Sequence, residues 1–214
     1  MCWNQEVSLN TFLFSGFVLA IIVYNNHYTK YKIQDLNNIW VCLFFASFIS
    51  VQLIEYFIWR NIHNKYYNTL FSLSALGILF IQPIVSLMIL QNIQLRNVLL
   101  YSYSAIAVLY SINQLSTKQI HSVVSQNGHL RWNFFEGHPV CWVVWLFFLL
   151  FSLFYEKKWF FLIFGLVTLV IAFVNYNTGS TIGSMWCWSV NSAMIYYAAY
   201  LLIYLPFLER SSIC

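Results

Sequence analysis

The alternation of apolar and polar stretches divides the chain into seven long apolar runs, at about 8–24, 38–59, 67–91, 97–115, 139–155, 158–174 and 184–208. Each is close to the roughly 20 residues needed to cross a hydrocarbon core about 30 Å thick as an α-helix. Runs such as VVWLFFLLFSLF lack both the alternation and the ten-residue module of an outer-membrane barrel, so helices are the way left to satisfy the backbone in lipid. The pattern predicts an all-α, polytopic membrane protein. It is a single domain over 1–214, a bundle of seven transmembrane helices with a loop cap between helices four and five.

Punctuation supports these bounds. Pro139 suits the first turn of the fifth helix, where its missing N–H is not needed, and Glu156, Lys157 and Lys158 leave a turn so short that helices five and six must be antiparallel neighbours. Pro83 lies inside the third run, where it should kink the helix or free a carbonyl. No internal repeat or linker interrupts the pattern. The longest connection, STKQIHSVVSQNGHLRWNFFEGH at 116–138, is expected to fold back over the helix ends, and Asn127 and Gly128 between β-prone flanks allow a small hairpin there.

Composition changes the picture by exclusion. With 61% hydrophobic and 7% charged residues and a mean hydropathy of +0.69, the chain cannot present an ordinary soluble surface. The net charge of +4 favours anionic headgroups, and without a basic stripe interleaved with aromatics outside the runs it implies no nucleic acid. The opening MCWNQEVSLN carries Glu6 and no Lys or Arg, unlike a basic secretory leader, so the first helix is expected to stay uncleaved.

Loop parity puts Arg60, Lys65, Lys118 and Arg131 on the side of the N-terminus and Lys30, Lys32, Arg96, Lys157, Lys158 and Arg210 on the other. The positive-inside rule then places the N-terminus outside and the C-terminus inside. The same parity gathers the unusual side chains on the N-terminal face. A pocket is expected there from Cys2, Trp3, Gln52, Glu55, Gln82, Trp132, Trp186, Cys187 and Trp188.

Glu55 is the acidic residue well inside a span, with Gln52 three positions earlier on the same helical face. Such a carboxyl must be protonated, paired or facing a wet cavity, which makes it a functional candidate. Gln82 beside Pro83 can bond a carbonyl freed by the kink or contribute to a polar pocket. Trp40, Trp59, Trp142, Trp159, Trp186 and Trp188 fall at span ends, as interfacial belts require. Trp186 and Trp188 are about 200° apart on a helix, so one should touch headgroups and the other pack inward beside Cys187.

Cys2, Cys141 and Cys187 share one side. They are small buried hydrophobes, or a Cys2–Cys187 disulfide if that compartment is oxidising, or thiolates of a metal site with His129 or His138, His138 and Cys141 being close in sequence. Ser189 and Ala193 allow close helix approach in the seventh span, with Asn191 bonding across the contact.

A lysine for retinal is missing from 184–208, and no late His-x-x-x-His pair suggests a seven-helix zinc hydrolase. MCW at the start, GHLRW in the long loop and WCW in the last span, with Gln52, Glu55 and the Gln82–Pro83 pair as weaker matches, resemble an uncharacterised family of small seven-helix membrane proteins found in large DNA viruses and bacteria. The resemblance covers most of the chain in outline. It implies architecture and a viral kind of membrane, and carries no reaction. The expected role is binding or organising within a bilayer, with a lipid or small hydrophobic molecule as ligand and no cofactor specified. The alternative is a membrane-embedded enzyme acting on a lipid or lipid-soluble cofactor, possible metal dependence included, with Glu55 as acid/base assisted by Cys187 or His138.

Overall fold

The structure is a computed structural model that describes residues 4–117, 120–135, 139–177 and 180–206. It is all-helical apart from one two-stranded hairpin. The helices are α1 (Gln5–Tyr28), α2 (Ile39–Arg60), α3 (Lys65–Leu87), α4 (Ile93–Thr117), α5 (Pro139–Tyr155), α6 (Trp159–Tyr176), α7 (Ile182–Val190) and α8 (Ala193–Ala199), with a π-helical turn at Tyr200–Tyr204. The hairpin strands β1 (Ser122–Val124) and β2 (Leu130–Trp132) lie between α4 and α5.

Asparagines start the first three helices. Asn4 accepts from the N–H groups of Glu6 and Val7 at 3.0 and 3.1 Å, Asn38 from Trp40 at 2.8 Å and Asn64 from Tyr67 at 3.3 Å, satisfying donors the helices leave open. At the other end of α5, Lys157 adopts φ 55° and the Lys158 N–H reaches back to the Leu153 carbonyl at 2.8 Å. That left-handed stop lets α6 begin at once and pack against α5.

Five helices, α1, α2, α3, α4 and α6, are long and apolar enough to cross a membrane. The fifth apolar run forms the shorter α5, of 17 residues. The seventh run, expected as one helix over 184–208, instead divides into α7, α8 and the π turn. At Asn191 and Ser192 the ladder tightens, the Asn191 N–H donating to Trp188 and the Ser192 N–H to Ser189, both three residues back, at 3.0 Å.

α2 and α3 are the centre of the bundle. α2 packs on α1, α3 and α7, α3 also packs on α5 and α4, and α6 packs on α7. Phe48, Val51, Ile58, Leu79 and Leu87 from the central pair are buried with Leu149 and Leu153 of α5 and Trp186 of α7. Val98, Tyr101 and Leu109 of α4 and Ile163, Val170 and Val174 of α6 are exposed apolar side chains, as a lipid-facing surface requires.

Pro83 has no N–H to offer the carbonyl four residues back, that of Leu79. The Trp145 indole N–H of α5 takes that carbonyl at 2.9 Å, and the Tyr103 hydroxyl of α4 donates to the neighbouring Phe80 carbonyl at 3.0 Å. The expected partner, Gln82, does not serve here: its amide is fully buried and its oxygen and nitrogen have no hydrogen-bond partner. Ser86 completes the α3–α5 seam by donating to the Leu149 carbonyl and meeting the Ser152 hydroxyl, each at 2.6 Å.

Candidate functional site

Glu55 lies in the last turns of α2, on the face turned away from lipid, and is 3% exposed. Gln52, three residues earlier and fully buried, donates from Nε2 to Glu55 Oε2 at 3.1 Å. Ser184 of α7 faces the same carboxyl across a small cavity. A cavity of about 10 Å³ adjoins the group, lined by Ser8 of α1, Gln52, Glu55 and Trp59 of α2, Leu130 of β2, and Ser184, Met185 and Trp188 of α7. That is roughly the space of one water. Gln52 Oε1 and Glu55 Oε1 are buried without a hydrogen-bond partner.

The start of α1, the end of α2, the hairpin and the start of α7 therefore meet at one end of the bundle, as loop parity requires. Trp188, half-buried, donates its indole N–H to Thr11 of α1 at 3.0 Å and closes the Glu55 cavity. Trp186 does not join it. It is 1% exposed and points into the core, edge-on to Phe48 and Trp145 at 6.0 and 5.8 Å, with its N–H donating to the Gly165 carbonyl and to Thr168 Oγ1 of α6. Trp186 is thus the inward-packed member of the pair, and half-buried Trp188 stands at the end of the bundle, each tied to a neighbouring helix. The aromatic faces have more to gain from helix neighbours than from lipid.

The hairpin caps this end. Ser122 pairs with Trp132 and Val124 with Leu130. The Gly128 N–H donates to Ser125, the Ser125 N–H to His129, and Gly128 has φ 78°, so the loop is a three-residue turn that needs a residue free of Cβ strain at Gly128. Asn68 of α3 acts as a strand edge: its Oδ1 accepts the Ser122 N–H at 2.8 Å and its Nδ2 donates to the Ser122 carbonyl at 2.9 Å. Asn127 donates to Thr181 Oγ1 at 3.0 Å, just before α7. Trp132, 3% exposed, stacks on Phe134 and covers Gly183, where a Cβ would stand 3.2 Å from its ring.

Of the metal candidates, His129 and Cys141 lie among the described residues, in different surroundings. His129 is buried in the hairpin, edge-on to Tyr176 at 5.0 Å, and burial holds its imidazole below the usual histidine range. Cys141 instead lines a second, apolar cavity of about 260 Å³ with Phe80 of α3, Tyr103, Ala107 and Tyr110 of α4 and Trp142 and Trp145 of α5. Among the described residues no three His, Cys, Asp or Glu side chains gather where they can hold a metal. Cys2, Trp3 and His138 lie outside the described residues, and so does the Cys2–Cys187 pairing; Cys187 itself is 1% exposed.

Ser8, Ser184 and the α4 face of the apolar cavity are absent from the sequence-derived site. A lone serine in an apolar run carries no signal of its partners. Tyr103, Ala107 and Tyr110, spaced four and three apart, do share one face, a signal in the sequence that could have found them. Comparison with family models, with curated proteins and with solved structures finds no match for this chain.

Proposed function

We propose that this is a seven-crossing integral membrane protein, N-terminus outside and C-terminus inside, whose activity is to bind a lipid acyl chain between α3, α4 and α5. The broken seventh segment and α5 make up the two crossings beyond the five long apolar helices. The observation that carries the binding reading is the 260 Å³ apolar cavity, walled by Phe80, Tyr103, Ala107, Tyr110, Val144 and Trp145. It is slightly smaller than the roughly 300–1,000 Å³ of drug-sized sites, a fit for one chain rather than a ring system. Ile106 of α4, one of the candidate membrane helices, and Val140 of the shorter α5 line it as exposed apolar residues, which supports lipid as the medium beside it.

An enzyme acting on a lipid with Glu55 as acid/base would need room for a headgroup beside that carboxyl. The space there is about 10 Å³. Binding without turnover is the better reading.

A photoactivatable fatty acid incorporated with the protein into phosphatidylcholine nanodiscs tests it. Cross-links should fall on Tyr103–Tyr110 and Val140–Trp145, and Ala107→Phe, which fills the cavity, should reduce them several-fold without loss of folded protein. Labelling spread evenly over the exposed faces of α4 and α6, and unchanged by Ala107→Phe, refutes a specific chain site.

A further inference from the structure

Around Glu55 the unmatched atoms are of one chemical kind. Gln52 Nε2 is engaged by Glu55 Oε2 at 3.1 Å, which leaves Gln52 Oε1 and Glu55 Oε1, both buried and without a hydrogen-bond partner. The hydroxyls of Ser8 from α1 and Ser184 from α7 line the same cavity. Four oxygens carry at most one negative charge between them. Such hard donors suit a hard cation, whereas copper or zinc sites call for thiolate or imidazole. A single charge matches a monovalent ion, since a divalent one would bring a second charge into surroundings made apolar by Trp59, Leu130, Met185 and Trp188. The space of about 10 Å³ admits one small ion.

We propose that Glu55, Gln52, Ser8 and Ser184 form a binding site for a single sodium ion, held between α1, α2 and α7. The bound ion neutralises a carboxylate that is otherwise costly at this depth, and gives the orphaned Gln52 oxygen a partner. Because its ligands come from three helices, occupancy ties the first and last segments of the bundle to the central one. The ion site and the acyl-chain cavity lie on different helices, so either can fail without the other.

The full-length protein in detergent, exchanged into sodium-free choline chloride, provides the test. A hydrophobic carbodiimide modifies buried carboxyls in their protonated form, and mass spectrometry reads the adduct on Glu55. Sodium chloride about tenfold above its dissociation constant should slow the adduct about tenfold, and potassium or choline chloride at equal ionic strength should protect far less. Gln52→Ala and Ser184→Ala should each raise the sodium concentration for half-protection by roughly tenfold, the loss of one good ligand. If those variants do not fold, the wild-type series decides alone. Equal labelling rates in sodium, potassium and choline overturn the proposal and assign the cavity to water or to a protonated acid.

Discussion

At the scale of single residues, the α3–α5 contact rests on a substitution of donors. Pro83 takes one backbone N–H out of α3, and Trp145 supplies another to the Leu79 carbonyl from the adjacent helix at 2.9 Å. Trp145→Phe keeps the ring and removes the donor, so it should lower stability by about 1–2 kcal/mol, the cost of a buried carbonyl left open. In Pro83→Ala the helix can satisfy Leu79 by itself, and the same Trp145→Phe change should then cost about 0.5–1 kcal/mol less. Unfolding titrations of the four proteins in mixed micelles give this coupling directly; strict additivity would mean the indole N–H does not compensate for the donor that Pro83 lacks. The proline and its consequence were legible in the sequence. Its partner was not, because Gln82 lies next to Pro83 in sequence while Trp145 is 66 residues from the Leu79 carbonyl it takes.

At the scale of elements, the hairpin was readable from Asn127–Gly128 and its flanks, and the division of the seventh segment was not. The break centres on Asn191, whose Nδ2 donates to the Cys187 carbonyl at 2.8 Å and across to the Phe48 carbonyl of α2 at 3.3 Å. Asparagine in an apolar run signals an interhelical bond, but only the proximity of Phe48 decides that α7 should end there. Two expectations attach to the hairpin. Asn68→Ala removes both bonds to the Ser122 backbone and should cost about 1–3 kcal/mol locally, read as faster hydrogen exchange at 120–132 with α2 and α3 amides still protected. The second concerns pH. Burial lowers the His129 imidazole from its ordinary value of 6.5, so the folded cap takes up fewer protons than the unfolded one. The stabilisation is therefore fully present above pH 6.5 and is lost as pH falls towards the folded-state value. Protection within the hairpin, taken relative to the intrinsic exchange rate at each pH, should fall as pH is lowered below 6.5 in the wild-type protein and much less in His129→Gln. A pH response equal in both proteins would trace it to another group.

At the scale of the whole molecule, what loop parity could deliver was the meeting of distant segments. Trp188 and Thr11, 177 residues apart, share a hydrogen bond, and Leu130 of the hairpin, Glu55 and Ser184 line one cavity. That grouping needs only that successive helices reverse direction, which the spacing of apolar runs already encodes. Which side chains fill the gap at the meeting point is a matter of ångström-scale rotation about each helix axis, and soft run boundaries leave that rotation open; hence Trp186 was assigned to the site and Ser8 and Ser184 were not. Alternating crossings by the first four helices, all long and apolar enough to span, have a direct consequence. His63 and Gln126 are exposed beyond the ends of α2 and β1, and Lys32 is exposed in the loop after α1. With alternating crossings His63 and Gln126 lie on one side of the membrane and Lys32 on the other. On the proposed orientation, with the N-terminus outside, a membrane-impermeant maleimide added to intact cells should label His63→Cys and Gln126→Cys and should reach Lys32→Cys only after permeabilisation. The unsubstituted protein, with its five native cysteines, sets the background; of these Cys42 and Cys187 are buried and Cys141 is half-buried. Labelling of Gln126→Cys and Lys32→Cys from the same side would remove one crossing from the first four helices, and the lipid-facing assignment of α4, with the acyl-chain cavity against it, would have to be withdrawn.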